Sequence, residues 1–223
     1  MARRKIKIEP QPAGFVLIAD GETEQWYIEL MKKHYNIRVK LQPELSCHSI
    51  EMQYELVEES IEKGYDHVFW IIDFDSIQKE NNEAKNKGRV LQKFKDVYLS
   101  AIGKTEKDSK WKGRLTIIVN NPCLEYWFYL HQHPESNRYF AQYETDLLPA
   151  LRKFDVGGGL FDKYNKSKQN YLGNPNLFER LLPHLKNIDF QRLRQFDFDT
   201  CETEGVSEMY KLFRVLGIDE RTK

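Results

Sequence analysis

Apolar residues along this chain fall into short unbroken runs, separated by longer stretches where they recur every three or four positions. The runs at 15–19 (FVLIA), 68–72 (VFWII) and 115–119 (LTIIV) show no polar alternation, as expected of strands covered on both faces. A further strand is predicted at 37–41, where IRVKL alternates. Between the strands, Tyr27, Leu30, Met31 and His34 fit a helix over 25–35, with Asp20 or Thr23 as its cap. Ile50, Tyr54, Val57 and Ile61 fit a second helix, which Gly64 would close. Val90, Phe94, Val97 and Ala101 fit a third over 89–102. Strands alternating with helices predict an α/β core at 14–133, a parallel sheet of about four strands flanked by helices. Beyond 134 no strand pattern stands out. Helical stretches at 144–154, 176–186, 190–196 and 206–216 predict a C-terminal annex, 134–223, packed on the core as one compact unit. Residues 1–13, charged and then broken by Pro10 and Pro12, read as a lead-in.

Composition narrows the options. Lys plus Arg and Asp plus Glu both number 34 in 223 residues, so any affinity for nucleic acid must come from a local patch. Such patches exist between Lys79 and Arg114 and in the mixed basic and aromatic run Asp162–Tyr171, which suits backbone phosphates and base stacking and equally an ordinary solvated loop. The three cysteines (Cys47, Cys123, Cys201) form no CxxC pair, and an odd number argues against a disulfide framework. With no apolar stretch after the basic start and no run of membrane-spanning length, a soluble cytoplasmic protein is expected, with no membrane partner.

The chemistry is concentrated where strands end. The 67–73 run stops on Asp73 and is followed at once by Asp75. Two carboxylates at the end of a buried strand are costly unless a cation neutralises them. In open α/β sheets that end is also where ligands bind. The first strand runs into Asp20-Gly21-Glu22-Thr23-Glu24, for which a capped helix start is the ordinary explanation. The fourth empties into NNPCLEYWFYLH, where Pro122 fits the first turn of a helix and brings Glu125 back toward the strand ends. Three acidic clusters after three parallel strands converge on one edge. Their oxygen ligands suit Mg²⁺ or Mn²⁺, one ion or two, and not zinc, for which no His/Cys grouping exists. His131-x-His133 is read as structural, Cys123 as packing, and the 157–159 glycine run as no phosphate loop.

FVLIADGETEQWYI, DHVFWIIDFD and NNPCLEYWFYLH together resemble the RloB family and the related AbiLii abortive-infection proteins. The Asn-Pro-Cys-x-Glu-x-Trp segment is the most specific part, and the likeness covers 14–133 well and the remainder loosely. The glycine-acid segment followed by Asp-x-Asp is also similar to OLD-family Toprim nucleases. The resemblance implies a Toprim-like, Rossmann-like α/β core. It also implies a role in anti-phage defence and an AAA/ABC-type ATPase partner encoded nearby. Carried over residue by residue, it nominates Asp20, Glu24, Asp73, Asp75 and Glu125 as metal ligands and catalytic residues. One position departs from the pattern, because Asp20 stands where the family's glutamate is usual. Lys163 or Lys168 would then offset charge on a phosphate. The expected activity is metal-dependent hydrolysis of DNA or RNA. The alternative is a catalytically silent module that binds nucleic acid or an ATPase.

Overall fold

The computed structural model describes residues 14–19, 21–42, 49–84, 88–153, 161, 162, 164, 166 and 175–218. The lead-in, Asp20, the 157–159 glycine run, Lys163 and Lys168 lie outside them. A five-stranded sheet in the order β2-β1-β3-β4-β5 forms the centre. Strands β1 (Phe15–Ala19), β2 (Val39–Gln42), β3 (His67–Asp73) and β4 (Leu115–Asn121) are mutually parallel, while β5 (Val206–Ser207) runs antiparallel to β4. The register aligns Ala19 with Ile71 and Asp73 with Asn120. The carboxyl ends of β1, β3 and β4 therefore lie side by side.

The apolar runs divide by parity, as the pleat requires. Leu17, Ala19, Phe69, Ile71 and Ile118 face one core, with α1 (Glu22–Tyr35), α5 (Glu125–Leu130), α6 (Leu148–Arg152), α7 (Pro175–Leu185) and α8 (Tyr210–Val215). Val16, Ile18, Val68, Trp70, Ile72, Ile117 and Val119 face the other, with α2 (Ile50–Glu62), α3 (Phe74–Glu83) and α4 (Arg89–Lys107). Buried polar tips on the large aromatics are satisfied across the layers. Trp70 Nε1 donates to Gln53 at 2.9 Å, and Trp127 Nε1 donates to the Tyr27 hydroxyl at 2.9 Å.

Several expectations need correction. Helix α1 begins at Glu22, three residues earlier than the periodicity places it. Its N-cap is Gly21 with no side-chain capping bond, so Thr23 sits inside the helix and caps nothing. Helix α3 is absent from the sequence reading because it buries only Phe74 and Ile77, too few for a 3.6-residue period. Pro122 lies outside the first helical turn, since it follows a cis peptide and α5 starts three residues later. Residues 190–196 form turns and irregular backbone, not a helix. Their apolar spacing has another cause: Phe190 and Leu193 pack on the first core and Phe196 belongs to the second. In place of a helix over 206–216, Val206 and Ser207 pair with the sheet before α8 begins. Between them Glu208, fully buried, accepts the Val119 N–H at 3.0 Å, the Phe196 N–H at 3.1 Å and the Lys211 ammonium at 2.7 Å. Three donors are what keep a carboxylate there tolerable.

Candidate functional site

Four acidic side chains from four elements meet beyond the carboxyl ends of β1, β3 and β4. Asp73 is the last residue of β3, Asp75 lies in the first turn of α3, Glu125 opens α5, and Glu24 lies in the first turn of α1. Glu125 is wholly buried and Glu24 is 3% exposed. Glu22, the neighbouring acid, points to solvent. The turn after β3 is fixed by the turn after β4, because the Asp75 N–H donates to the Pro122 carbonyl at 2.8 Å.

The Asn-Asn-Pro-Cys-Leu-Glu segment has a task at nearly every position. Asn120 donates to Asp73 Oδ1 at 3.3 Å and is itself held by the Ser207 hydroxyl, which donates to its Oδ1 at 2.7 Å. Asn121 donates to the Cys201 and Glu204 carbonyls, both at 2.8 Å, anchoring the loop that returns to the sheet. Cys123 is buried, and its sulfur and single oxygens of Asp73 and Glu125 lie within 4.8 Å of one another. That threesome can hold an ion.

A lysine joins them. Lys166 Nζ lies 3.4 Å from Asp75, 3.5 Å from Asp73 and 3.6 Å from Glu125. Its backbone carbonyl accepts the Thr23 hydroxyl at 3.1 Å, and its ammonium stands 5.1 Å from the centre of the Tyr143 ring. Tyr143 begins a π-helical turn, Tyr143–Leu147, a feature frequent at functional sites. Two residues before Lys166, the Tyr164 hydroxyl donates to Glu125 Oε1 at 2.6 Å.

Electrostatics mark the cluster as unfinished. Burial, and then the Glu24 charge, push the Asp73 carboxyl well above its usual range. Burial likewise raises Glu24 and Asp75, against the lowering pull of Lys166. For Lys166 burial works downward, but Cys123, Glu125, Asp73 and Asp75 outweigh it and hold the ammonium well above an ordinary lysine. Burial pushes the Cys123 thiol well up. Both oxygens of Glu24, Asp75 Oδ1 and Glu125 Oε2 have no hydrogen-bond partner among the described residues. Buried carboxylate oxygens without donors are what a hard divalent cation satisfies. The donor set therefore fits Mg²⁺ or Mn²⁺, with Cys123 as a softer neighbour.

Of the residues singled out by sequence, the structure brings together Glu24, Asp73, Asp75 and Glu125. It adds Lys166, Tyr164, Thr23, Asn120, Ser207 and Cys123. The basic-aromatic run contains Lys166, the one of its lysines among the described residues, and this lysine reaches the acids. His131 is structural: buried, it donates from Nδ1 to the Trp127 carbonyl at 2.7 Å. The described helices include none long and apolar enough to cross a membrane.

A family model described as RloB-like protein matches residues 15–213. The chain belongs to the RloB-like family. The RloB-like match takes in every residue of the cluster, from Glu24 to Lys166 and on to Ser207. No curated protein and no solved structure matches the chain.

Proposed function

We propose that this RloB-like protein is a metal-dependent nuclease of Toprim type, hydrolysing phosphodiester bonds of DNA or RNA in anti-phage defence. One observation carries the reading. Carboxylates from four segments converge on a strand edge, and buried oxygens of Glu24, Asp75 and Glu125 have no hydrogen-bond partner among the described residues. Glu24, Asp73, Asp75 and Glu125, with Asp20, would hold one or two Mg²⁺ or Mn²⁺ ions. Bound there, an ion supplies Lewis-acid polarisation of the phosphodiester and a water of lowered pKa. The chain's own groups do the rest. Asn120 and Ser207 hold the Asp73 carboxylate in orientation, and Tyr164 holds Glu125. Lys166, like Lys163 or Lys168 of the same segment, would offer an ammonium to the oxygens of a phosphate as their charge grows.

The test is incubation of the purified chain with plasmid and with single-stranded DNA and RNA, in Mg²⁺, Mn²⁺ or chelator. Cleavage should need the metal and vanish in Asp73→Ala. Cleavage unchanged in that variant would sink the proposal. A second reading is a silent module that binds nucleic acid or an ATPase partner. It is favoured by Lys166, whose ammonium already offsets part of the acidic charge. In that case the protein binds such a partner and cuts nothing in any metal.

A further inference from the structure

The Lys166 ammonium is placed unlike an ordinary ion-pair partner. A lysine engaged with one carboxylate sits about 2.7–2.9 Å from it. Here three carboxylates, on β3, α3 and α5, lie at nearly equal distances of 3.4–3.6 Å. The charge is shared by all three and matched closely to none. Around it, Glu24 Oε1 and Oε2 and Glu125 Oε2 have no hydrogen-bond donor among the described residues, on side chains 3% and 0% exposed. Among those residues one monovalent ammonium thus stands among four acids and leaves buried oxygens unmet. A compact divalent ion ligated by the same carboxylates would bring more charge into the same space.

We propose that Lys166 is the resident cation of this site: it stands in for the divalent ion in the metal-free protein and must move out for the ion to be ligated. This rests on reading the acids as an ion site. The ammonium and an ion drawn to the same carboxylates of Asp73, Asp75 and Glu125 compete for them, so binding of the ion and departure of the ammonium are one event. One contact can follow Lys166 outward: Nζ is already in cation–π contact with the Tyr143 ring, 5.1 Å from its centre, an attraction that does not depend on the carboxylates. The Thr23 bond to its backbone carbonyl keeps the residue at the site's edge while its side chain swings. Lys166 therefore sets the affinity for the ion. Its ammonium becomes available to an incoming phosphate only once the ion is bound.

The test is Mn²⁺ titration by calorimetry, without nucleic acid, on the full chain and on Lys166→Met and Lys166→Arg, with metal-free melting curves for each. Removing a unit charge a few ångströms from the ion should tighten Mn²⁺ binding roughly tenfold or more in Lys166→Met. That variant should also melt lower without metal and recover with it. Lys166→Arg, which keeps the charge, should bind no more tightly than the wild type. If Lys166→Met does not fold without metal, Mn²⁺ must restore it where NaCl at matched ionic strength does not. Failure to do so overturns the proposal. As a second readout, amine acylation of Lys166 in the wild type, followed by mass spectrometry, should rise several-fold on adding Mn²⁺. Mn²⁺ binding with equal affinity in wild type and Lys166→Met, or acylation that falls with metal, defeats the resident-cation role while leaving the ion site standing. Absence of Mn²⁺ binding in all three proteins defeats the ion site, and this inference with it.

Discussion

Gly21 shows how a single residue shapes the acid cluster. Its φ of −97° is open to any amino acid, so no conformational demand requires glycine. The demand comes from Glu24, whose carboxyl folds back over it: a Cβ built on Gly21 would stand 1.8 Å from Glu24 Oε2. Because Glu24 is buried, its carboxyl cannot simply step aside into solvent. Gly21→Ala should therefore leave the fold intact and move the carboxyl off its place. Mn²⁺ affinity should drop roughly 10–100-fold, the scale seen when the support of a ligand is disturbed. Calorimetric titration beside a melting curve checks this, and a lower melting temperature with unchanged affinity would refute it. The glycine is visible in the sequence, but its reason is not, because it depends on how the next turn of helix folds back.

At the scale of elements, the sheet edge was legible because parallel strands buried on both faces read as unbroken apolar runs. Asp73, Asp75 and Glu125 follow such runs directly, so their convergence could be foreseen. Strand β5 could not, since two residues carry no period, and neither could the support it lends. The Ser207 hydroxyl on β5 fixes Asn120 on β4, which in turn fixes Asp73 on β3. This relay should respond in graded fashion. Asn120→Ala leaves a buried hydroxyl and a carboxylate oxygen without their partner, at a cost of about 1–3 kcal/mol in urea unfolding. Ser207→Ala leaves the buried Asn120 Oδ1 without this donor but keeps the Asn120–Asp73 bond, and should cost toward the lower end of the same range of about 1–3 kcal/mol. Mn²⁺ affinity should fall in both, further for Asn120→Ala. Equal affinities in the two variants and the wild type would show that the relay does not orient Asp73.

For the whole molecule, buried His131 and the acid cluster make stability respond to pH in opposite senses. His131, buried and neutral, is held down to about 4 from an ordinary 6.5, chiefly by burial. Between those values the unfolded chain binds the proton that the folded one refuses, so stability is lost as pH falls from 6.5 toward 4. The difference corresponds to roughly 3 kcal/mol at the low end. Asp73, Glu24 and Asp75 are displaced upward. There the folded protein holds protons the unfolded chain releases, so their contribution declines as pH rises from about 4 through the raised values. Without metal, Asp73→Asn should melt above the wild type at pH 7.5 and lose that advantage on acidification toward pH 4. Saturating Mn²⁺ should reverse the order at pH 7.5. Thermal melts across that range, with and without Mn²⁺, decide it. A variant that melts below the metal-free wild type at pH 7.5 would contradict the upward displacement.

The Thr23–Lys166 hydrogen bond spans 143 positions of chain, and that span carries a consequence for synthesis. During translation, at about 5–20 residues per second, the strands that carry the acids emerge many seconds before residue 166. Until then the acids face one another without the Lys166 ammonium. The sheet face that will receive Phe161, Phe178, Leu181 and Phe213 is bare over the same interval. A nascent chain stalled before this point should cling to chaperones. The centre is thus completed well after the strands that frame it have been made.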